Sequence, residues 1–247
     1  MALPFKTGLK IYSTNLSLIP EIRSFGAAPF DFIELYALPE TYERTVDHWK
    51  ALDADVIVHA AHSHHGVNLA RADFEAINRA RLCEACRFAD ALGAEIVVVH
   101  GGNNGTFEEA LRQITLFGDR RIVMENKPKV GVRGNPCVGY SPGEFRQAMA
   151  SGAVAAMALD IGHADCAARS LGLDSIAYLQ EFLSLKPILY HLSDRETASE
   201  KDVHLNFGKG DLNLEAVLDL IPAGARVTLE TPRDPSRGLE DFLEDIR

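Results

Sequence analysis

Short apolar runs alternate with helix-length amphipathic stretches along almost the whole chain, and that rhythm leaves few folds open. The strand candidates are Lys10–Thr14, Asp31–Tyr36, Asp55–His59, Glu95–His100, Arg121–Glu125, Ala156–Asp160, Ile188–Leu192 and Arg226–Glu230. Val56-Ile57-Val58 and Ile96-Val97-Val98-Val99 are apolar at successive residues, the pattern of strands covered on both faces. Helical periodicity fills the spaces between them. It is clearest over Arg71–Leu92, where Phe74, Ile77, Ala85, Ala89 and Leu92 share a face and Gly93 is placed to end the helix. Further helical patterns run through 40–52, 107–117, 142–151, 172–184, 213–220 and 238–246. Eight strands in 247 residues predict an α/β fold, a (β/α)8 TIM barrel. A doubly wound sheet is the rival, but no Gly-x-Gly-x-x-Gly follows the first strand. With no linker-like stretch, residues 1–247 read as a single domain.

Composition narrows the function classes. Hydrophobic residues make up 47% of the chain, enough for a packed core, and 25 basic against 35 acidic side chains leave a formal charge of -10. Nucleic-acid binding would need a local basic patch acting against that field. The longest uncharged stretch in the middle of the chain, Gln147–Leu159, spans 13 residues and is too short to cross a bilayer. The first residues lack a basic segment followed by an apolar one, and four cysteines in a chain this long suggest a reducing compartment. The expectation is a cytoplasmic enzyme with no membrane partner.

The strand ends carry the chemistry. From the third strand onward nearly every apolar run finishes in a metal-ligand type: His59 (followed by His62), His100, Glu125, Asp160-Ile-Gly-His163, His191 and Glu230, with Asp202-Val-His204 in the loop after the seventh strand. In a barrel these ends meet at one mouth. Imidazoles and carboxylates gathered there would be costly to bury unless a cation joined them. The donors are nitrogen and oxygen, which predicts zinc or manganese at the C-terminal ends of the strands. The strand-three ligand stays open between His59, which closes the apolar run, and His62. Asn126–Ser141 is the longest stretch without a regular pattern, and Lys127, Lys129 and Arg133 give it a positive edge.

At these residues the chain resembles the xylose isomerase-like barrel superfamily, which includes sugar isomerases and epimerases and the AP endonuclease family 2 nucleases of the endonuclease IV type. Glu125, Asp160, His191 and Glu230 match the isomerase pattern of one metal held by strands five to eight. The resemblance implies that Glu125 and Glu230 act as acid and base across a metal-stabilised enediolate and that His163 contacts a sugar or sugar-derivative substrate. It implies a substrate-facing place for Lys209, inside Gly208-Lys209-Gly210, and the positive edge of the 126–141 loop makes Lys127 a second candidate for substrate binding. His100, Glu125, Asp160, His163, His191, Asp202, His204 and Glu230, with His59 or His62, also match the ligands of a multinuclear zinc nuclease. One ion is implied by the isomerase, two or three by the nuclease, for which DNA would be the partner. With His62 as the strand-three histidine, His65-Gly66 stands where the nucleases carry a bulky pair that wedges into DNA, and Phe32-Ile-Glu34-Leu-Tyr36 resembles the isomerase branch. A metal-dependent sugar isomerase or epimerase is therefore the first expectation, and an endonuclease IV-type phosphodiesterase the alternative.

Overall fold

In the computed structural model, which describes residues 4–25 and 27–247, eight parallel strands close into a barrel in sequence order. The strands are β1 (Lys6–Tyr12), β2 (Phe32–Ala37), β3 (Val56–Ala60), β4 (Val97–His100), β5 (Ile122–Glu125), β6 (Met157–Asp160), β7 (Leu189–Leu192) and β8 (Arg226–Leu229). The helices between them are α1 (Ile19–Ser24), α2 (Tyr42–Lys50), α3 (Glu75–Leu92), α4 (Phe107–Phe117), α5 (Pro142–Ala150), α6 (Ile161–Leu171), α7 (Ser175–Leu183) and α8 (Leu214–Leu218), and α9 (Glu240–Asp245) follows β8. β1 pairs with β8 through Lys6–Leu9 and Arg226–Leu229, which closes the ring. No helix among the described residues is long and apolar enough to cross a membrane.

Side chains alternate between the two faces of each strand. The outward set, including Leu9, Leu35, Val58 and Val99, joins the large core beneath the helices. The inward set forms a separate apolar floor of Phe32, Ile57, Ile96, Val98, Val123, Ala158 and Leu189. Gly8 makes room for that floor, since a Cβ there would collide with the Phe32 ring. Two residues further along each strand the inward position turns polar: Glu34, His59, His100, Glu125, Asp160 and His191.

Two expectations about elements need correction. The first strand begins at Lys6 rather than Lys10. A lysine beside an apolar run reads as a strand boundary, but Lys10 points inward and is neutralised by carboxylates there. The segment after Asp160 is a helix, α6, for which the sequence predicts no helical pattern. Ile161 to Ala168 are all buried, His163 and Asp165 included, so its polar residues do not mark a solvent face. Asp160 caps α6, its side chain accepting from the His163 amide at 2.6 Å.

Candidate metal centre

Register brings the donors together. His100 lies opposite Glu125 in the β4–β5 pairing, and Asp160 opposite His191 in the β6–β7 pairing. Glu125 Oε2 is 3.1 Å from His59 Nε2, 3.0 Å from His100 Nε2 and 3.2 Å from His191 Nδ1, while its Oε1 is 3.1 Å from His163 Nδ1. Glu230 Oε1 lies 2.8 Å from His191 Nδ1. Asp202 Oδ2 lies 3.2 Å from His163 Nε2 and 2.8 Å from His204 Nε2. Of the two strand-three candidates, His59 joins the cluster. His62 stacks on the His100 ring, centroids 4.8 Å apart, and its Nδ1 is buried without a hydrogen-bond partner.

The imidazoles are held so that one nitrogen faces the centre. The Nδ1–H groups of His59, His163 and His204 donate to the carbonyls of Ala60 (2.8 Å), Asn126 (2.8 Å) and Glu230 (2.7 Å), leaving Nε2 of His59 toward Glu125 and Nε2 of His163 and His204 toward Asp202. His191 is reversed: its Nε2–H donates to Glu34 at 3.0 Å, and its Nδ1 is buried with no well-directed hydrogen bond although it lies beside Glu125 and Glu230. An outer partner that fixes the tautomer of each imidazole is the arrangement found around metal-bound histidines. Glu34 is itself held by Thr228 Oγ1–H at 2.5 Å. Asn126 ties β5 to β6, accepting from the Asp160 amide at 2.7 Å and donating to the Asp160 carbonyl at 2.9 Å.

Asp202 and His204 ride on the loop between β7 and α8, which is tied by Asp194. The Asp194 carboxylate accepts from the amides of Arg195 (2.8 Å), Gly208 (2.9 Å), Gly210 (2.9 Å) and Leu212 (3.3 Å). A Cβ at position 210 would collide with that carboxylate and with the Arg195 carbonyl, so glycine is required. This corrects the expectation for Lys209. The Gly-Lys-Gly segment wraps Asp194, and the Lys209 side chain is exposed and does not line the cavity at the mouth. Lys127 does line it, with Nζ 3.3 Å from His100 Nδ1.

Lys10 and Glu34 are the site residues that strand-end reasoning missed. The Lys10 ammonium forms an ion pair with Glu230 and lies 3.4 Å from Glu34. Burial alone would lower its pKa, but Glu230, Glu34 and Glu125 raise it above the usual lysine value. Both residues sit on the inward face one step below the strand ends, and period-two counting from Tyr12 and Tyr36 would have found them.

The electrostatics report paired opposite charges. Burial works against ionisation of Glu34, yet His191 and Lys10 hold it at about 2. Burial likewise opposes the charged forms of His163 and His191, but surrounding carboxylates push both well above the ordinary value, and His204 is pushed up to about 9, chiefly by Asp202. Burial drives His100 down to about 3 despite Glu125. Donor atoms approach within 4.8 Å of one another in the groups His59–His100–Glu125, Glu125–Asp160–His191, Asp160–His163–His204 and Glu34–His191–Glu230. Lys10 already occupies the last of these as a cation. The unpaired His191 Nδ1, the fixed tautomers and the nitrogen–oxygen donor set fit divalent ions.

Above the donors opens a cavity of about 900 Å³, walled by His59, His100, Lys127, His163, Asp202 and Glu230 among others. A family model described as xylose isomerase-like TIM barrel matches residues 21–247. The chain belongs to that family. Among solved structures of the fold, endonuclease IV from Thermus thermophilus is 23% identical, with 97% of each chain covered and a TM-score of 0.71. A D-tagatose 3-epimerase-like protein is 20% identical over 98% of this chain and 97% of its own, TM-score 0.67. The TTHB071 protein, also from Thermus thermophilus and soaked with ZnCl2, is 20% identical over 98% of both chains, TM-score 0.66. No curated protein matches the sequence. Family and neighbours thus include both sugar epimerases and nucleases of endonuclease IV type.

Proposed function

We propose that this member of the family is a multinuclear divalent-metal enzyme that hydrolyses a phosphate ester. The observation that carries this reading is the sharing of carboxylates between donor groups. Glu125 belongs to both the His59–His100 group and the Asp160–His191 group, and Asp160 to both the latter and the His163–His204 group. Interlocked groups of this kind suit hydrolysis, in which attacking and leaving oxygens need charge stabilisation at the same time. Zinc or manganese bound there would supply Lewis acidity to phosphoryl oxygens and acidify the attacking water. The chain's own residues do the rest. Ala60, Asn126, Glu230 and Glu34 orient the imidazoles, Lys127 offers a positive group at the cavity wall, and the apolar floor closes the centre from below.

Glu125 also favours hydrolysis over proton transfer. It is 1% exposed, both its oxygens face imidazoles, and it does not line the cavity. A Glu125–Glu230 pair working across a sugar carbon would need both carboxylates at the cavity wall, and only Glu230 is there. A second reading, the sugar isomerase or epimerase, is favoured by the cavity itself. Its volume is that of a small-molecule site. The two readings separate on metal content and product. Metal analysis of purified protein should give two or three ions per chain, and bis(p-nitrophenyl) phosphate or an oligonucleotide bearing one abasic site should be cleaved. One ion per chain, no cleavage, and solvent deuterium entering a ketose would replace hydrolysis by isomerisation.

A further inference from the structure

The cavity wall contains an arginine without a counter-charge. Arg233, three residues beyond Glu230, is partly buried and lines the cavity, yet it makes no ion pair or side-chain hydrogen bond among the described residues. The other arginines without an acidic partner, Arg23, Arg44, Arg79, Arg120, Arg133, Arg169 and Arg247, are all exposed. Arg233 is therefore unusual in being partly buried and left unpaired. Burial lowers its pKa, with only weak opposition from Tyr12 and Asp241. Asp241 is not available to it: one oxygen is taken by the Arg237 guanidinium and the other accepts from the Asp234 amide at 2.6 Å.

The backbone on either side of Arg233 is fixed. The Pro232 carbonyl accepts from Asn206 Nδ2 at 3.0 Å, and the Asp234 amide is held by Asp241. A rigid backbone carrying a partly desolvated guanidinium is costly unless an anion completes it. The planar fork of arginine matches the oxygens of a phosphate. Arg233 lines the same cavity as the donors His59, His100, His163, His204 and Glu230, and among the described residues it makes no ion pair or hydrogen bond with any of them.

We propose that Arg233 binds a second phosphate of the substrate, separate from the ester group that reaches the metal centre, so that the substrate is a small molecule carrying two phosphoryl groups. This rests on the reading of the cavity as a phosphate-ester site, and the test keeps the two apart. Calorimetric titration of metal-loaded protein with inorganic phosphate should show one more equivalent bound by the wild type than by Arg233→Met, with Arg233→Lys recovering part of the difference. The p-nitrophenyl ester of thymidine 5′-phosphate, with and without a 3′-phosphate, provides the kinetic arm. The wild type should prefer the doubly phosphorylated ester by about 10–100-fold in kcat/KM, through KM, the range of a charge-assisted hydrogen-bonded pair. Arg233→Met should abolish that preference. If the wild type cleaves neither ester but Arg233→Met still loses one equivalent of phosphate, the anion site stands and the hydrolytic reading falls. If Arg233→Met binds phosphate with wild-type stoichiometry and affinity, the assignment of Arg233 is overturned whatever the enzyme cleaves.

Discussion

The inside of the barrel is built in two layers from the same strands, and they follow opposite rules. In the floor, Ile57, Val98, Val123, Ala158 and Leu189 touch one another and are kept together by their exclusion from water. One inward step along the same strands, His59, His100, Glu125, Asp160 and His191 meet as charges and dipoles. A floor residue can be replaced by a neighbour of similar volume at small cost. A residue of the upper layer cannot, because its partners would be left buried with unbalanced charge. The floor makes the barrel a barrel, and the layer above makes it a centre.

That contrast can be broken first at Glu125. Glu125→Ala removes the carboxylate faced by four imidazoles, and loss of one member of a buried charged cluster costs about 3–5 kcal/mol. Denaturant unfolding should register that loss, and metal analysis should find little bound ion. A variant with unchanged metal content and stability would show that the layer is not organised around Glu125.

The pH dependence of metal binding sharpens the comparison, since only the upper layer titrates. In the metal-free chain His204 is pushed from 6.5 up to about 9 by Asp202. The sign follows: the pair contributes stability that is complete below about 6.5 and lost as the pH rises through about 9. A cation displacing that proton binds more tightly over the same rise, by about tenfold per pH unit for each proton released. Competition with a zinc buffer at pH 6.5, 7.5 and 8.5 measures it. Affinity that is flat or falls with pH would mean that the protonated imidazole is not displaced.

The smallest effect belongs to the floor. Ile57→Val should cost about 0.5–1.5 kcal/mol and leave metal content and its pH dependence untouched. A metal deficit in that variant would join the two layers that are separated here.

The upper layer was legible in the sequence wherever a donor closed an apolar run, because strand periodicity and residue type agreed at His59, His100, Glu125, Asp160, His191 and Glu230. It was not legible where a charge stood inside a strand. Lys10 reads as a strand boundary and Glu34 as a polar step inside a strand; period-two counting puts both on the inward face, and ring closure, which brings β1 beside both β2 and β8, makes them partners. Choosing between His59 and His62 required knowing that the strand continues to Ala60, which aims His59 inward. Lys209 was misplaced for a related reason. The glycines around it serve the fold of a loop through Asp194, and sequence alone does not tell a glycine that welcomes a ligand from one that welcomes a carboxylate of its own chain. α6 escaped notice because its first eight residues are buried, polar His163 and Asp165 among them, so residue type does not mark the face turned to solvent.

Lys10 has one further consequence. It is tethered to β1 and cannot diffuse away, so one positive charge stays beside Glu34 and Glu230 even when every exchangeable ion has been stripped out. If ions bind at this mouth as proposed, that tethered charge would limit the repulsion between these carboxylates when the ions are removed.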